Sequence, residues 1–184
     1  MQGLITMLTR ILAVAGRAAF GLCLVAGFMA PAAATAAPAC PGNPDALGTA
    51  RVMEVDTTGG FEIGTKIYKG KRLAGLAPRE IVLTFDDGPF GKITDDVLAA
   101  LERECVKATF FVVGRMAAER PAQLKKINAL GHTVAHHSMT HPILRDIPLE
   151  SAKADMIAGW QTVDRILYGT AGASPRVPFF RFPG

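Results

Sequence analysis

Residues 81–89, with the sequence IVLTFDDGP, carry an apolar run that leads directly into two adjacent carboxylates and a Gly-Pro turn. A short apolar run bounded by turn residues is typical of a strand that is buried on both faces of a parallel sheet. The pattern predicts a strand at residues 81–86, which would carry Asp86 and Asp87 to the rim of that sheet.

Strand and helix patterns alternate from Pro78 to the last residue. The apolar runs and their turn residues predict further strands at 108–113, 132–136 and 177–182, and helices at 94–104, 118–130 and 149–168. Thr94 is the expected N-cap of the first helix. Such alternation is typical of an α/β fold in which helices cover a parallel sheet and ligands bind at the carboxyl ends of the strands. Five polar residues are expected at such ends, namely Asp86, Asp87, His137, His141 and Arg181.

The chain divides into three predicted regions. Residues 1–36 have the layout of a secretory signal peptide, with Arg10 and Arg17 near the start, an uncharged stretch at 18–30 and an A-x-A cleavage site at 34–36. The uncharged stretch has 13 residues, which is too short to span a bilayer comfortably. We therefore expect export to the periplasm or the extracellular space, without stable membrane insertion after cleavage. Residues 37–77 form a polar lead-in with short edge strands expected at 51–55 and 61–63, and residues 78–184 form the main domain.

The charge of the chain argues against nucleic acid as a partner. The 20 Lys and Arg residues exceed the 16 Asp and Glu residues, but Arg10 and Arg17 would leave with the signal peptide, and no Lys/Arg-rich run is present. A neutral or mildly anionic substrate fits this balance better. Of the three cysteines, Cys23 lies in the predicted signal peptide, whereas Cys40 and Cys105 remain in a compartment that permits disulfides. Their spacing leaves open whether they pair.

Two histidines four residues apart, His137 and His141, complement the acidic strand end. Two imidazoles and one carboxylate form a common catalytic metal site with open coordination positions, and Asp87 is the carboxylate we expect in it. His132 and His136 have the same spacing, but His132 opens an apolar strand, where a packed histidine is more common. An Asp-Asp-Gly-Pro segment alone is also typical of an ordinary turn. The strand before it and the histidines after it favour the metal site.

Asp86 and Arg181 complete the predicted chemistry. A divalent ion in this site would polarise a water molecule and a substrate carbonyl, and Asp86 would take the proton from that water. The planar guanidinium of Arg181 can hold the Asp86 carboxylate in place, although an arginine near a chain end is often only an exposed charge. These residues together predict a metal-dependent hydrolase.

Four ordered motifs resemble those of the polysaccharide deacetylases, the family of the nodulation-protein-B homology domain that includes the chitooligosaccharide deacetylases. The motifs are TFDDGP at 84–89, ATFFVVG at 108–114, HSMTH at 137–141 and RFPG at 181–184. The resemblance runs from about Pro78 to the last residue, and the order and spacing of the motifs make it highly specific.

The resemblance implies a distorted (β/α) barrel that removes acetyl groups from N-acetylglucosamine polymers, such as chitin oligomers or peptidoglycan-like glycans. It implies zinc as the metal, with cobalt or another divalent ion as an alternative. Asp86 resembles the catalytic base of the family, and Asp87, His137 and His141 resemble its metal ligands. Arg181, with Pro183 beside it, resembles the motif that orients the base and shapes the substrate groove.

The chain also departs from the family pattern. Later strands of the family carry a groove-wall motif with an aspartate and an aromatic residue, then a leucine-histidine motif whose histidine is the general acid. All four histidines of this chain lie at or before position 141, and about four strand–helix units are visible, too few to close a barrel. We therefore expect an incomplete domain that binds a divalent ion weakly and has little or no turnover. The alternatives are a shortened active member, a carbohydrate- or metal-binding remnant, and an esterase that acts on acetylated xylan.

Overall fold

The computed structural model describes residues 40–49, 51–60, 62–63 and 75–184, so the predicted signal peptide lies outside the described residues. Three parallel strands form one sheet in the order β1-β2-β3, with β1 at Thr84–Asp86, β2 at Thr109–Val112 and β3 at Thr133–His136. In the described ranges, four helices accompany the sheet, namely α1 (Lys92–Arg103), α2 (Gly114–Glu119), α3 (Pro121–Ala129) and α4 (Leu149–Tyr168), and a 3-10 turn at Leu144–Asp146 precedes α4. The predicted α/β class with parallel strands is confirmed. None of the helices in the described ranges has the length and apolarity that a membrane crossing requires.

The register of the sheet brings neighbouring strand ends to one rim. Beyond the paired residues, the Asp87 N–H donates to the Phe111 carbonyl at 3.1 Å, and the His137 N–H donates to the Val112 carbonyl at 3.0 Å. These backbone hydrogen bonds therefore hold Asp87 and His137 at the same rim of the sheet, each against the central strand β2.

The core lies between the sheet and the helices α1, α2, α3 and α4. Its members are almost completely buried and are contributed by every layer, namely Leu98, Leu101, Ala108, Phe110, Val112, Ala117, Leu124, Ile127, Val134 and Val163. Full burial of a large aliphatic or aromatic side chain stabilises a fold by about 1.5–3 kcal/mol. This packing makes the rim a rigid platform for the polar residues that follow the strands.

Two helix predictions need correction. Helix α1 begins at Lys92 with Gly91 as its N-cap, so the prediction of Thr94 as N-cap is wrong. Thr94 is buried in the first turn, where its hydroxyl accepts a hydrogen bond from the Phe90 N–H at 2.7 Å. The helix predicted at 118–130 is two helices, α2 and α3, because a proline disfavours helical backbone at the residue before it and is well suited to the first position of a new helix. Helix α4 has the predicted bounds, and Gly169 ends it in the left-handed conformation.

The apolar run before the two acids is shorter as a strand, and more exposed, than predicted. Ladder pairing begins at Thr84, which lies opposite Thr109, the first residue of β2. Ile81, Val82 and Leu83 are 84%, 48% and 37% exposed, so the prediction of a buried strand from residue 81 is wrong. In the sheet, these three residues lie beyond the first paired residue of β2, so none of them has a ladder partner in β2. Within the described part of the chain, no strand covers the outer edge of β1.

The strand predicted at 177–182 is only a single bridge between Phe180 and His136. The His136 N–H donates to the Phe179 carbonyl, and the Arg181 N–H donates to the His136 carbonyl, both at 3.0 Å. Pro178 has no N–H, which limits any longer ladder on this side. The bridge nevertheless places Arg181 beside the end of β3. The edge strand predicted at 51–55 is also wrong, since these residues form no strand. Of the strand predicted at 61–63, residue 61 lies outside the described residues, and residues 62 and 63 are not in a strand.

Cys40 and Cys105 form a disulfide, which answers the question that their spacing left open. The segment at 40–49 also covers the last turn of α1. The Asn43 amide donates to the Arg103 carbonyl at 2.9 Å, and the Gly48 N–H donates to the Glu104 carbonyl at 2.8 Å. Carbonyls at the C-terminal end of a helix have no partner within the helix, so these bonds satisfy groups that would otherwise need water.

Candidate metal centre

Three predicted metal ligands lie together at the rim of the sheet. The Asp87 Oδ1 atom is 3.3 Å from His137 Nε2 and 3.1 Å from His141 Nε2. One candidate ligand atom from each of these residues lies within 4.8 Å of the other two. The structure therefore gathers one carboxylate and two imidazoles around a common point.

The hydrogen bond on the far side of the His137 ring determines which nitrogen faces this point. His137 Nδ1 lies 2.7 Å from the Arg181 carbonyl oxygen, which can only accept a hydrogen bond. Nδ1 is therefore the donor in this bond, and Nε2 is the nitrogen that faces Asp87. Metal-binding histidines usually have this arrangement, in which the second ring nitrogen donates to a carbonyl or a carboxylate. The donor set of two imidazole nitrogens and a carboxylate oxygen fits a divalent ion such as zinc.

The two adjacent acids separate because Asp87 adopts the left-handed conformation, with φ of 71°. Aspartate is one of the few residues other than glycine that tolerate this region. The strand ends at Asp86, and the turn at Asp87 sends the second carboxylate toward the histidines. The Val113 N–H donates to the Gly88 carbonyl at 3.2 Å and anchors the turn to the end of β2.

Asp86 has a different partner. The Arg181 Nη1 atom donates to Asp86 Oδ1 at 2.6 Å and to the Thr84 hydroxyl at 3.0 Å. The guanidinium also lies over the Phe111 ring, 4.1 Å from its centroid, which adds a cation–π contact. A single nitrogen makes the contact with Asp86, rather than the two-nitrogen fork that arginine can offer a carboxylate. The guanidinium is thus held on three sides and fixes the Asp86 carboxylate beside the cluster.

The alternative histidine pair takes no part in the cluster. His132 is buried, and its Nδ1 accepts a hydrogen bond from the Ala108 N–H at 3.2 Å. Burial lowers the pKa of His132, and burial likewise lowers the pKa of His136. Both rings therefore favour the neutral form, as packed histidines do.

An open cavity of about 320 Å³ adjoins the cluster of candidate metal ligands, Asp87, His137 and His141. Asp87 and His141 line it on one side, and its other walls come from Phe90, Val113, Arg115 and Thr140. Sequence reasoning missed Phe90 and Arg115, although both directly follow strand-end motifs and are exposed. Pro183 is buried, and its contact with substrate stays a prediction.

The chain is similar to known proteins over part of its length. The profile of the family described as polysaccharide deacetylase matches residues 74–184. A chitooligosaccharide deacetylase of Sinorhizobium fredii is 46% identical over 71 residues, which are 39% of this chain and 33% of that protein. A peptidoglycan-N-acetylglucosamine deacetylase of Bacillus cereus is 35% identical over 104 residues, which are 56% of this chain and 36% of that protein. The chain therefore spans about a third of the length of these curated relatives. Among solved structures, a family 4 carbohydrate esterase from Streptomyces lividans in complex with acetate matches with a TM-score of 0.49 and 33% identity, covering 56% of this chain and 50% of that one.

Proposed function

Since the chain belongs to the polysaccharide deacetylase family, we propose that its site hydrolyses N-acetyl groups of a chitooligosaccharide or a related N-acetylglucosamine-containing glycan, with a divalent ion and preferably zinc. The observation that supports this most strongly is the division of labour between the two acids. Asp87 faces His137 and His141, whereas Asp86 is held by Arg181. A hydrolytic site needs both a metal ligand set and a separate base, and this rim offers both.

Asp87, His137 and His141 would hold the ion, and the ion when bound would supply a Lewis acid that polarises the acetyl carbonyl and lowers the pKa of water. Hydrolysis adds water across the carbon–nitrogen bond and releases acetate and a free amine. The Asp86 carboxylate is placed to take the proton of the attacking water and then to give it to the amine nitrogen as the carbon–nitrogen bond breaks. Arg181 keeps that carboxylate in position through the bond at 2.6 Å.

The cavity beside the cluster supports a sugar substrate. Its volume of about 320 Å³ lies at the lower end of the range of ligand pockets, and it is open on one side, as a site for a polymer must be. The Phe90 ring is 45% exposed at the wall and offers a flat apolar surface to the apolar face of a sugar ring. The exposed Arg115 adds hydrogen-bond donors for hydroxyl or carbonyl oxygens.

The test uses the full chain, freed of metal with a chelator and reloaded with Zn²⁺. Hydrolysis of 4-nitrophenyl acetate, whose leaving group needs no general acid, is measured beside acetate release from chitin oligomers and from acetylated xylan. With 4-nitrophenyl acetate, which does not depend on a general acid, we expect zinc-dependent hydrolysis that Asp86→Asn lowers by about 100-fold or more without loss of zinc binding, because a positioned general base contributes roughly 10²–10⁴-fold. His137→Ala should abolish both zinc binding and zinc-dependent hydrolysis. Asp146→Asn, an exposed acid paired with Arg145, is the matched control and should change neither.

A folded, zinc-loaded chain that shows no metal-dependent acetyl hydrolysis would overturn the proposed activity and favour a binding remnant. Acetate release from acetylated xylan that exceeds release from chitin oligomers would favour an esterase instead. Both substrates release acetate, so the two rates can be compared directly in the same assay.

We further propose that the protein acts after export. The signal-peptide layout of residues 1–36 and the disulfide between Cys40 and Cys105 support this, because disulfides persist in oxidising compartments. N-terminal sequencing of the protein recovered from its host checks the proposal. A protein that retains Met1 and stays in the cytoplasm would refute it.

A further inference from the structure

The loop between the two histidine ligands is held by a carboxylate of helix α4 that is not itself a ligand. Asp155 Oδ1 accepts hydrogen bonds from the Met139 N–H at 2.8 Å and from the Thr140 N–H at 3.2 Å. Asp155 Oδ2 accepts a third bond from the Thr140 hydroxyl at 2.6 Å. We propose that Asp155 is a positioning residue, which fixes the spacing of His137 and His141 and thereby tunes the metal affinity. This inference rests on the proposed function of the site.

The loop needs an external hold because its backbone is strained. Ser138 and His141 have φ values of 67° and 62°, in the left-handed region. Each such residue costs about 1–2 kcal/mol relative to the ordinary helical conformation. Inside the loop, the His141 N–H donates to the Ser138 hydroxyl at 3.0 Å, which closes the turn.

His141 depends on the loop more than His137 does. The His137 ring is 4% exposed and is fixed by the Arg181 carbonyl, whereas the His141 side chain is 37% exposed and meets Asp87 from the open side of the cluster. A shift of the loop backbone would therefore move His141 first. Since Thr140 directly precedes His141, the two bonds from Thr140 to Asp155 act one residue away from this ligand.

Helix α2 and Asp155 together hold the backbone of the histidine loop, residues 138–140. The N–H groups of Gly114 and Arg115, at the start of α2, donate to the carbonyls of Ser138 and Met139, both at 2.9 Å. Helix α2 thus binds the carbonyls of the loop, and Asp155 binds its N–H groups. With both types of backbone group satisfied, the loop has one favoured position relative to α2 and α4.

A carboxylate suits the position of Asp155 better than a neutral polar group would. Two successive backbone N–H groups and a hydroxyl offer three donors, and an ionised carboxylate is acceptor-only. Burial acts to raise the pKa of Asp155, but the hydrogen bonds from Thr140 and Met139 outweigh it and leave the pKa below its ordinary value. The group therefore stays ionised at neutral pH, where hydrogen bonds to a charged acceptor are stronger than neutral ones.

The experiment uses Co²⁺ as the probe, because its visible spectrum reports the ligand geometry. The full chain, Asp155→Ala, Asp155→Asn and Thr140→Val are compared by equilibrium dialysis against Co²⁺, by the visible spectrum of the Co²⁺ form and by thermal unfolding without metal. Glu150→Gln, an exposed acid on the same helix that pairs with Lys153, is the matched control. We expect Asp155→Ala to weaken Co²⁺ binding by about 10–100-fold and to change the spectrum, as removal of groups behind metal ligands does elsewhere. Asp155→Asn and Thr140→Val should have smaller effects in the same direction, and Glu150→Gln none.

A purely structural role would lower the unfolding temperature and leave the affinity and spectrum of the folded fraction as in the wild type. Asp155→Ala that is folded and binds Co²⁺ within twofold of the wild type, with the same spectrum, would overturn the proposal. If Asp155→Ala does not fold, the milder Asp155→Asn and Thr140→Val decide, and wild-type affinity and spectrum in both would overturn it. A wild-type chain that is folded but binds no Co²⁺ would instead refute the metal site, and the role of Asp155 would fall with it.

Discussion

Arg181 joins the two halves of the candidate site through two different groups. Its backbone carbonyl oxygen accepts a hydrogen bond from His137 Nδ1 at 2.7 Å, and its guanidinium donates a hydrogen bond to the Asp86 carboxylate at 2.6 Å. The first contact orients a candidate metal ligand and does not depend on the side chain. The second orients the proposed base and depends on it entirely. One residue can thus couple metal binding to base position while the two contacts remain separable by mutation.

Substitution of Arg181 by Met should separate these contacts. We expect acetyl hydrolysis to fall by roughly 10–100-fold, because a hydrogen bond to a charged group contributes about 1.5–3 kcal/mol, while the Zn²⁺ dissociation constant stays within about twofold. Rates with 4-nitrophenyl acetate and equilibrium dialysis measure the two effects. Arg165→Met, which removes an exposed arginine that donates to Gln161, is the control and should change neither. Loss of zinc binding in Arg181→Met would contradict the separation.

At the scale of elements, the site depends on a very close approach between α4 and the histidine loop. A Cβ atom on Gly159 would lie 2.5 Å from the Ser138 carbonyl carbon and 2.8 Å from the Met139 nitrogen. A Cβ atom on Gly114 of α2 would lie 3.0 Å from the Gly159 Cα atom. Glycine at these positions allows both helices to reach the loop backbone, and this proximity lets Asp155 on α4 reach its partners.

Gly159→Ala should therefore disturb fold and site together. Because the new methyl group would meet backbone rather than a flexible side chain, we expect the free energy of unfolding to drop by about 1–3 kcal/mol or more. Co²⁺ affinity should fall as well, since Ser138 and Met139 lie between His137 and His141, the two candidate ligands. Gly172→Ala, where a Cβ atom would lie 3.5 Å from the Ser174 carbonyl oxygen in ordinary van der Waals contact, is the control. Denaturant unfolding and dialysis measure both effects, and an unchanged stability of Gly159→Ala would disprove the close packing.

At the scale of the whole molecule, the disulfide attaches the segment at 40–49 to the end of α1, on contacts separate from the histidine loop. Cys40 and Cys105 are 65 residues apart in sequence, so the bond closes a long loop of the unfolded chain. Cross-links of this span limit the conformational freedom of the unfolded state and stabilise a fold by up to roughly 4 kcal/mol. The bond thus supports the domain as a whole rather than the chemistry at the rim.

Removal of the disulfide should lower stability without changing the site. For the Cys40→Ser/Cys105→Ser variant, we expect a free energy of unfolding about 2–4 kcal/mol lower than that of the oxidised protein, with an unchanged Co²⁺ spectrum for the folded fraction. Chemical denaturation with and without a reducing agent measures the change. The reducing agent should destabilise the wild type and leave the double variant unaffected, and equal stability of all samples would show that the bond contributes nothing.

Short-range patterns in the sequence predicted much of this molecule. The bounds of α4 follow from its apolar periodicity and from Gly169, both of which act within a few residues. Predictions failed where the outcome depends on distant partners. Ile81 reads as part of a buried strand, but its burial depends on neighbours across the sheet. Val177 and Phe182 have strand-forming side chains, yet only Phe180 pairs there, because the backbone of β3 and the proline at 178 decide the ladder.

The sequence by itself determined which chemical groups are available, namely two adjacent acids after a strand, two histidines four residues apart and an arginine near the last residue. Only the tertiary structure decided how these groups pair. Asp86 meets Arg181 across 95 residues of sequence, and His137 meets the Arg181 carbonyl across 44. The left-handed turn at Asp87 directs the two carboxylates to different partners, and Asp155 joins the site from a helix that carries no motif. Hydrogen bonds require distances near 3 Å and defined angles, and the packing of distant strands and helices sets both.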